Sequence, residues 1–189
     1  AAPQYDTAQT LIARLLAEHL QGKSGKVLEI GCGTGLTTKK IVAFTPEATV
    51  TALDNEEIML EQARKNLQTN FKVAFVRADA LGYLREQKDA AFDAVVTAFC
   101  LHNLPSDYRH AAFREMGRVT QSGGIIVSLD KIAQDNIVRH WKSMREQIDT
   151  FEIFKTTQYP ELEAEWISHY LDDDRIRFTE TEQRELLAV

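Results

Sequence analysis

Apolar positions along this chain change their period several times. Leu11, Ile12, Leu15, Leu16 and Leu20 recur at helical spacing, which predicts an amphipathic helix near the amino terminus. Five short runs rich in β-branched residues follow, at 26–30, 49–53, 72–76, 93–99 and 124–129, and each predicts a strand. Between them, residues 36–44, 56–67 and 108–119, with a shorter stretch at 81–87, carry the helical period. Strands and helices alternating in this way predict an α/β protein: a Rossmann-like, doubly wound sheet, mostly parallel, with helices on both faces. The run "GIIVSL" is apolar at consecutive positions, as expected of an interior strand rather than a bare edge.

Beyond Asp130 the pattern changes. No strand-like run follows, and both tryptophans, Trp141 and Trp166, lie here with a further set of aromatic residues. Trp141, Met144, Ile148 and Phe151 form one helical stripe, expected to pack on the sheet, with a ligand-facing lid as the alternative. The chain is therefore expected to form one domain, 1–189, with a helical cap at 1–24, a sheet core at 25–130 and a helical segment at 131–189.

Composition narrows the classes of function. With 189 residues, 44% hydrophobic and 26% charged, the chain suits one ordinary globular core. The net charge of -6 comes from 28 acidic against 22 basic residues, and the basic ones are scattered, so DNA is not an expected partner. Two isolated cysteines, Cys32 and Cys100, form neither a disulfide framework nor a metal-ligand spacing; no metal is expected, and the cytoplasm is the expected compartment. No apolar run has membrane length, so no membrane partner is expected.

The chemistry begins at "VLEIGCGTG". Gly31, Gly33 and Gly35 follow a strand and precede a helix, where a backbone must turn sharply and come close to a ligand. A dinucleotide fingerprint has its third glycine one residue later, where this chain has Leu36, which disfavours a nicotinamide cofactor. Glu29 is a carboxylate in an apolar strand, able to brace the loop or to face a bound cation. Asp54 closes the second strand about 20 residues after the loop, the separation at which a carboxylate reaches a ribose diol. It is equally placed to cap the next helix, as is Asn55. Asp79 ends the third strand in "VRADAL", where it can accept a hydrogen bond from an adenine amino group.

Taken together, "VLEIGCGTG", "ALDNEEIMLEQARKNL", "RADA", "FDAVVTAFCLHNLP" and "GGIIVSLDK" resemble the class I S-adenosylmethionine-dependent methyltransferases over about residues 5–130. The resemblance implies S-adenosyl-L-methionine as cofactor and S-adenosyl-L-homocysteine as product. It further implies that Gly31, Gly33 and Gly35 cradle the amino-acid part and that Asp54 binds the ribose hydroxyls, with Glu29, Cys32 and Asn55 also expected among the cofactor-binding residues. Met59, Asp79 and Ala80 would meet the adenosine, and Ala98 and Phe99 would face the methionine part. Tyr5 and Gln9 would close over the cofactor from the first helix. The expected activity is methyl transfer to a small molecule, by in-line displacement that needs alignment more than a base. His102 and Asp130, at the ends of the fourth and fifth strands, are the candidate catalytic residues; an imidazole titrates near neutrality and suits a general base.

The segment "SLDKIAQDN" with "YPELEAEW" also resembles the carboxy-S-adenosylmethionine synthase branch, an alternative in which the cofactor itself is modified. In that branch basic residues follow the counterpart of "ELE"; here Trp166, Ile167 and Ser168 stand there, with Arg175 and Arg177 farther on. A non-catalytic nucleoside-binding protein is the remaining alternative. The final "ETEQRELLAV" resembles the helix that introduces a terminal β-hairpin, so the expectation is a chain ending short of that hairpin, or a homodimer covering the last strand or the carboxyl-terminal helices.

Overall fold

A computed structural model describes residues 3–67, 72–150, 152, 161–175 and 177–188. Helix α1 (Pro3–Leu20) precedes β1 (Lys26–Ile30), α2 (Leu36–Phe44), β2 (Thr49–Asp54), α3 (Glu57–Leu67), β3 (Val73–Arg77) and α4 (Ala80–Glu86). Then come β4 (Phe92–Ala98), a 3-10 turn (Leu101–Asn103), α5 (Ser106–Val119), β5 (Thr120–Leu129), α6 (Ile137–Thr150), α7 (Glu161–Arg175) and α8 (Glu180–Leu187). The strands form one sheet in the order β3-β2-β1-β4-β5, and every pairing is parallel. An all-parallel sheet needs both faces covered, and the two-residue period of the strands supplies two apolar faces.

That alternation is explicit in β1. Val27 enters one core with Ile12 and Leu16 of α1, Ile41 of α2 and Leu60 of α3; Leu28 and Ile30 enter the other with Leu84 of α4 and Phe113 and Met116 of α5. Glu29 shares the face of Val27, which aims a carboxyl at α2. Phe178 and Leu186 join the second core, so α8 returns to the sheet beside α5. Its anchor is Arg109, a fully buried guanidinium whose Nε and Nη2 donate to Glu182 at 2.9 and 2.7 Å. Thr179 caps α8 by accepting from the Glu182 N–H.

Two expectations are corrected. The strand containing "GIIVSL" is an edge strand among the described residues, and Ile125, Ile126 and Leu129 are only half-buried there, because helices cover its faces while no described strand extends the sheet beyond it. The stripe on α6 does not form sheet core: Met144 is buried against a cavity, Ile148 is half-buried and Trp141 is 48% exposed. A 3.6-residue period reports an apolar face without saying what lies opposite it. Phe151, the fourth member of the stripe, lies outside the described residues.

Candidate active site at the carboxyl ends of the strands

The strand order reverses between β1 and β4, and the carboxyl ends of the strands around such a reversal open into a crevice. The three loop glycines stand there, all in the left-handed region, with φ of 70°, 52° and 78° at Gly31, Gly33 and Gly35. Their surroundings differ. A Cβ at Gly31 would lie 2.3 Å from Cys100 Sγ, and one at Gly35 would lie 2.7 Å from Leu67 and 3.0 Å from Ala63, so these two glycines let β4 and α3 close on the loop. A Cβ at Gly33 would meet nothing within 4 Å. Gly33 is the glycine that faces the crevice.

Asp54 reaches back from β2 to the loop. Its Oδ2 accepts from the Gly33 N–H at 2.8 Å and its Oδ1 from the Glu56 N–H at 3.0 Å. Two backbone donors occupy half of the four lone-pair positions of a carboxylate, leaving one on each oxygen. Glu29 is buried beneath the loop. Its Oε2 accepts from Thr38 Oγ1 at 2.6 Å, while Oε1 has no hydrogen-bond partner among the described residues. Burial pushes the Glu29 carboxyl up to about 8, against the opposing Thr38 hydrogen bond and with a smaller push from the Asp54 charge.

Other candidates lie around this centre. Cys32 sits in the loop with its N–H donating to the Leu53 carbonyl, its carbonyl accepting from the Gly35 N–H and its thiol buried in the core. Asn55 and Met59 are exposed on the rim. Asp79 caps α4, accepting from the Gly82 N–H at 2.7 Å, and its other oxygen accepts from the Tyr108 hydroxyl at 2.7 Å. Ala80 begins α4 beside it. Burial, and then this bond to Asp79, pushes the Tyr108 phenol up to about 12. Tyr108 carried no sequence signal, because its partner lies 29 residues away.

Ala98 ends β4, and Phe99 follows with φ of 53°, a conformation that costs a non-glycine residue about 1 to 3 kcal/mol. Phe99 is held there by its N–H to the Leu129 carbonyl at 2.8 Å and by the ring of Tyr5, with centroids 4.7 Å apart. Both rings line a cavity of about 400 Å³ between α1, the ends of β4 and β5, and α6. Gln9 is not among its lining residues, whereas Ala8 is.

His102 and Asp130 meet in the wall of this cavity. His102 Nδ1 bonds Asp130 Oδ1, while Asp130 also accepts from the backbone N–H groups of Leu101 at 2.7 Å, His102 at 3.2 Å and Lys131 at 2.8 Å. A fully buried carboxylate with these donors orients the imidazole through Nδ1. The two residues, 28 positions apart, form one orienting pair.

Residues 27–124, more than half of the chain, match the family described as "Methyltransferase domain". Over 109 residues the chain is 38% identical to demethylmenaquinone methyltransferase of Staphylococcus aureus, an alignment covering 57% of this chain and 44% of that one. The chain thus spans less than half the length of the curated relatives it matches. A Methanococcus maripaludis protein assigned as an S-adenosyl-L-methionine-dependent methyltransferase superposes with a TM-score of 0.58 at 21% identity, covering 90% of this chain and 78% of the other. The trans-methyltransferase CalH, solved in complex with SAH, superposes with a TM-score of 0.53 at 20% identity, covering 66% of this chain and 37% of the other. Both superpositions show a shared Rossmann-like α/β fold over the covered residues.

Proposed function

Because the chain belongs to the methyltransferase-domain family, we propose that it transfers a methyl group from S-adenosyl-L-methionine to a small-molecule acceptor held in the cavity between α1 and α6. The observation that carries this reading is the Gly33 cradle: open space where a Cβ would stand, Asp54 with a lone pair left on each oxygen, and the unpartnered Glu29 Oε1 beneath. Those groups fit the cofactor. Asp54 suits two ribose hydroxyls, Glu29 suits an ammonium, Gly31 and Gly33 allow the close approach, and Ala98 with Phe99 supplies the wall toward the acceptor. Asp79 and the Ala80 backbone are the adenine contacts in this reading, with Met59 and Asn55 on the rim.

When bound, S-adenosyl-L-methionine supplies a methyl group on a sulfonium sulfur, and transfer breaks that carbon–sulfur bond to leave the thioether S-adenosyl-L-homocysteine. The protein aligns the acceptor and excludes water, tasks that suit the enclosing rings of Tyr5 and Phe99. His102 would take the proton from an acceptor hydroxyl or amine as the new bond to carbon forms, and Asp130 orients the imidazole for it. The match to demethylmenaquinone methyltransferases supports a small organic acceptor.

Transfer of labelled methyl from the cofactor to a panel of hydroxylated and amino acceptors tests the reading. Wild-type protein is expected to label at least one, and His102→Gln to lower kcat about 100-fold while leaving S-adenosyl-L-homocysteine affinity unchanged. An unchanged His102→Gln rate removes the base, and no labelling of any acceptor by protein that binds the cofactor favours the cofactor-modifying or binding-only alternative.

The cytoplasm is the proposed location, in keeping with two free thiols, Cys32 and Cys100, and no helix among the described residues long and apolar enough to cross a membrane. The proposal extends to a homodimer covering the β5 edge or the carboxyl-terminal helices, since among the described residues no strand pairs with that edge. Light scattering is expected to give twice the chain mass; a monomer mass removes the dimer and leaves the active-site reading untouched.

A further inference from the structure

We infer that Tyr108, in the first turn of α5, is a positioning residue that makes Asp79 selective for a purine bearing an amino group, adenine over hypoxanthine. This deepens the methyltransferase reading and rests on its assignment of Asp79 to the base.

The placement comes from the strand ends. The Ala78 N–H donates to the Asp54 carbonyl at 3.1 Å, so the chain leaves β3 for Asp79 immediately beside the end of β2. The carboxylate proposed for the ribose and the one proposed for the base thus stand at neighbouring strand ends. Asp79 is exposed there, and Tyr108 is half-buried beside it. Helices α4 and α5 follow the carboxyl ends of β3 and β4, which brings the first turns of both to the crevice side of the sheet.

Hydrogen-bond direction decides what Asp79 has to offer. Its Oδ2 accepts from the Gly82 N–H at 2.7 Å, which ties one oxygen and leaves the carboxylate plane able to turn. The Tyr108 hydroxyl, 2.7 Å from Oδ1, ties the other and stops that rotation. The Leu81 N–H, which can only donate, meets the same phenol oxygen at 2.9 Å, so the phenol proton is directed to Asp79. Burial first, and then the bond to Asp79, pushes the phenol up to about 12, and the proton stays on it at neutral pH. With one donor committed to each oxygen, the carboxylate remains an acceptor with one lone-pair position per oxygen left for a ligand. A 6-amino group donates into that position. A 6-oxo group brings its own lone pairs against it and leaves polar atoms unsatisfied.

A purely structural clasp accounts for less of this arrangement. Leu84 of α4 already packs with Phe113 and Met116 of α5 in the second core, and the bond from Gly82 by itself caps α4. The phenol adds a second tie to a side chain that already has its cap.

The test is calorimetric titration of the 189-residue chain with S-adenosyl-L-homocysteine and with S-inosyl-L-homocysteine, which carry a 6-amino and a 6-oxo purine. The wild type is expected to bind the adenine compound at least about tenfold more tightly. Tyr108→Phe, which removes only the hydroxyl, is expected to lower that preference at least about threefold through weaker binding of S-adenosyl-L-homocysteine. Phe113→Leu, a core truncation on the same helix, is expected to lose stability and keep the preference, because loosening α5 does not by itself read the base. A smaller wild-type preference, a smaller fall in Tyr108→Phe, or an equal fall in Phe113→Leu overturns the inference. Failure of folded wild-type protein to bind S-adenosyl-L-homocysteine instead overturns the methyltransferase reading, so the two failures are separate.

Discussion

At the level of single residues, three glycines in one loop hold the same backbone region for different reasons. Gly31→Ala drives a methyl into Cys100 Sγ, whereas Gly33→Ala points one into open crevice. Both substitutions carry the left-handed strain of an L-residue. Gly31→Ala is therefore expected to lose about 2 kcal/mol more stability than Gly33→Ala in denaturant titrations, and Cys100→Ala to restore part of it. Gly33→Ala is expected instead to weaken S-adenosyl-L-homocysteine. Glu29 yields a pH dependence. Its carboxyl is raised from 4.5 to about 8 in the folded protein, chiefly by burial. Its contribution to stability is complete below the unfolded value and is lost as pH climbs through about 8. The melting temperature of the wild type should thus fall across that window more steeply than that of Glu29→Gln; parallel curves would remove the buried acid from the account. These residues were legible in the sequence because a strand, a glycine turn and a strand-end carboxylate are local features. Their division of labour was not, since Cys100, Ala63 and Thr38 approach only once the chain has folded.

Among the elements, α6 and α8 separate what periodicity conveys from what it leaves open. The stripe on α6 predicted a helix correctly and its surroundings wrongly: Met144 faces the cavity rather than the sheet. On α8 the useful residue is polar. Glu182 pairs with Arg109 across 73 residues, a contact no local pattern encodes. Partial burial acts to raise the Glu182 carboxyl, but hydrogen bonds from Arg109 and Ser106 outweigh it and hold the group below its ordinary range. The stability it contributes is present above the unfolded carboxylate value and is lost as pH falls through the depressed folded one. Glu182→Ala removes the carboxylate fork from the buried Arg109 guanidinium, for an expected loss of about 3 kcal/mol. Hydrogen exchange should show α8 opening first, with α2 and α3 unaffected. Uniform exchange throughout would mean that α8 is not an independent latch.

Across the molecule, the sheet order β3-β2-β1-β4-β5 places the glycine loop beside the β4 end, so the proposed cofactor crevice meets the proposed acceptor cavity at Phe99 and Cys100. Alternating strands and helices made the parallel sheet legible, because right-handed crossovers leave few other arrangements. The edge position of β5 was not legible, since an apolar run looks alike whether the sheet continues or stops.

The most direct test of the central claim is calorimetric titration of S-adenosyl-L-homocysteine into the wild type and Asp54→Ala at neutral pH. The expected result is one site per chain, with affinity reduced at least about tenfold in Asp54→Ala while circular dichroism reports an intact fold. Folded wild-type protein that takes up none of the thioether, or Asp54→Ala that binds it as tightly as the wild type, would contradict a nucleoside seated on Asp54.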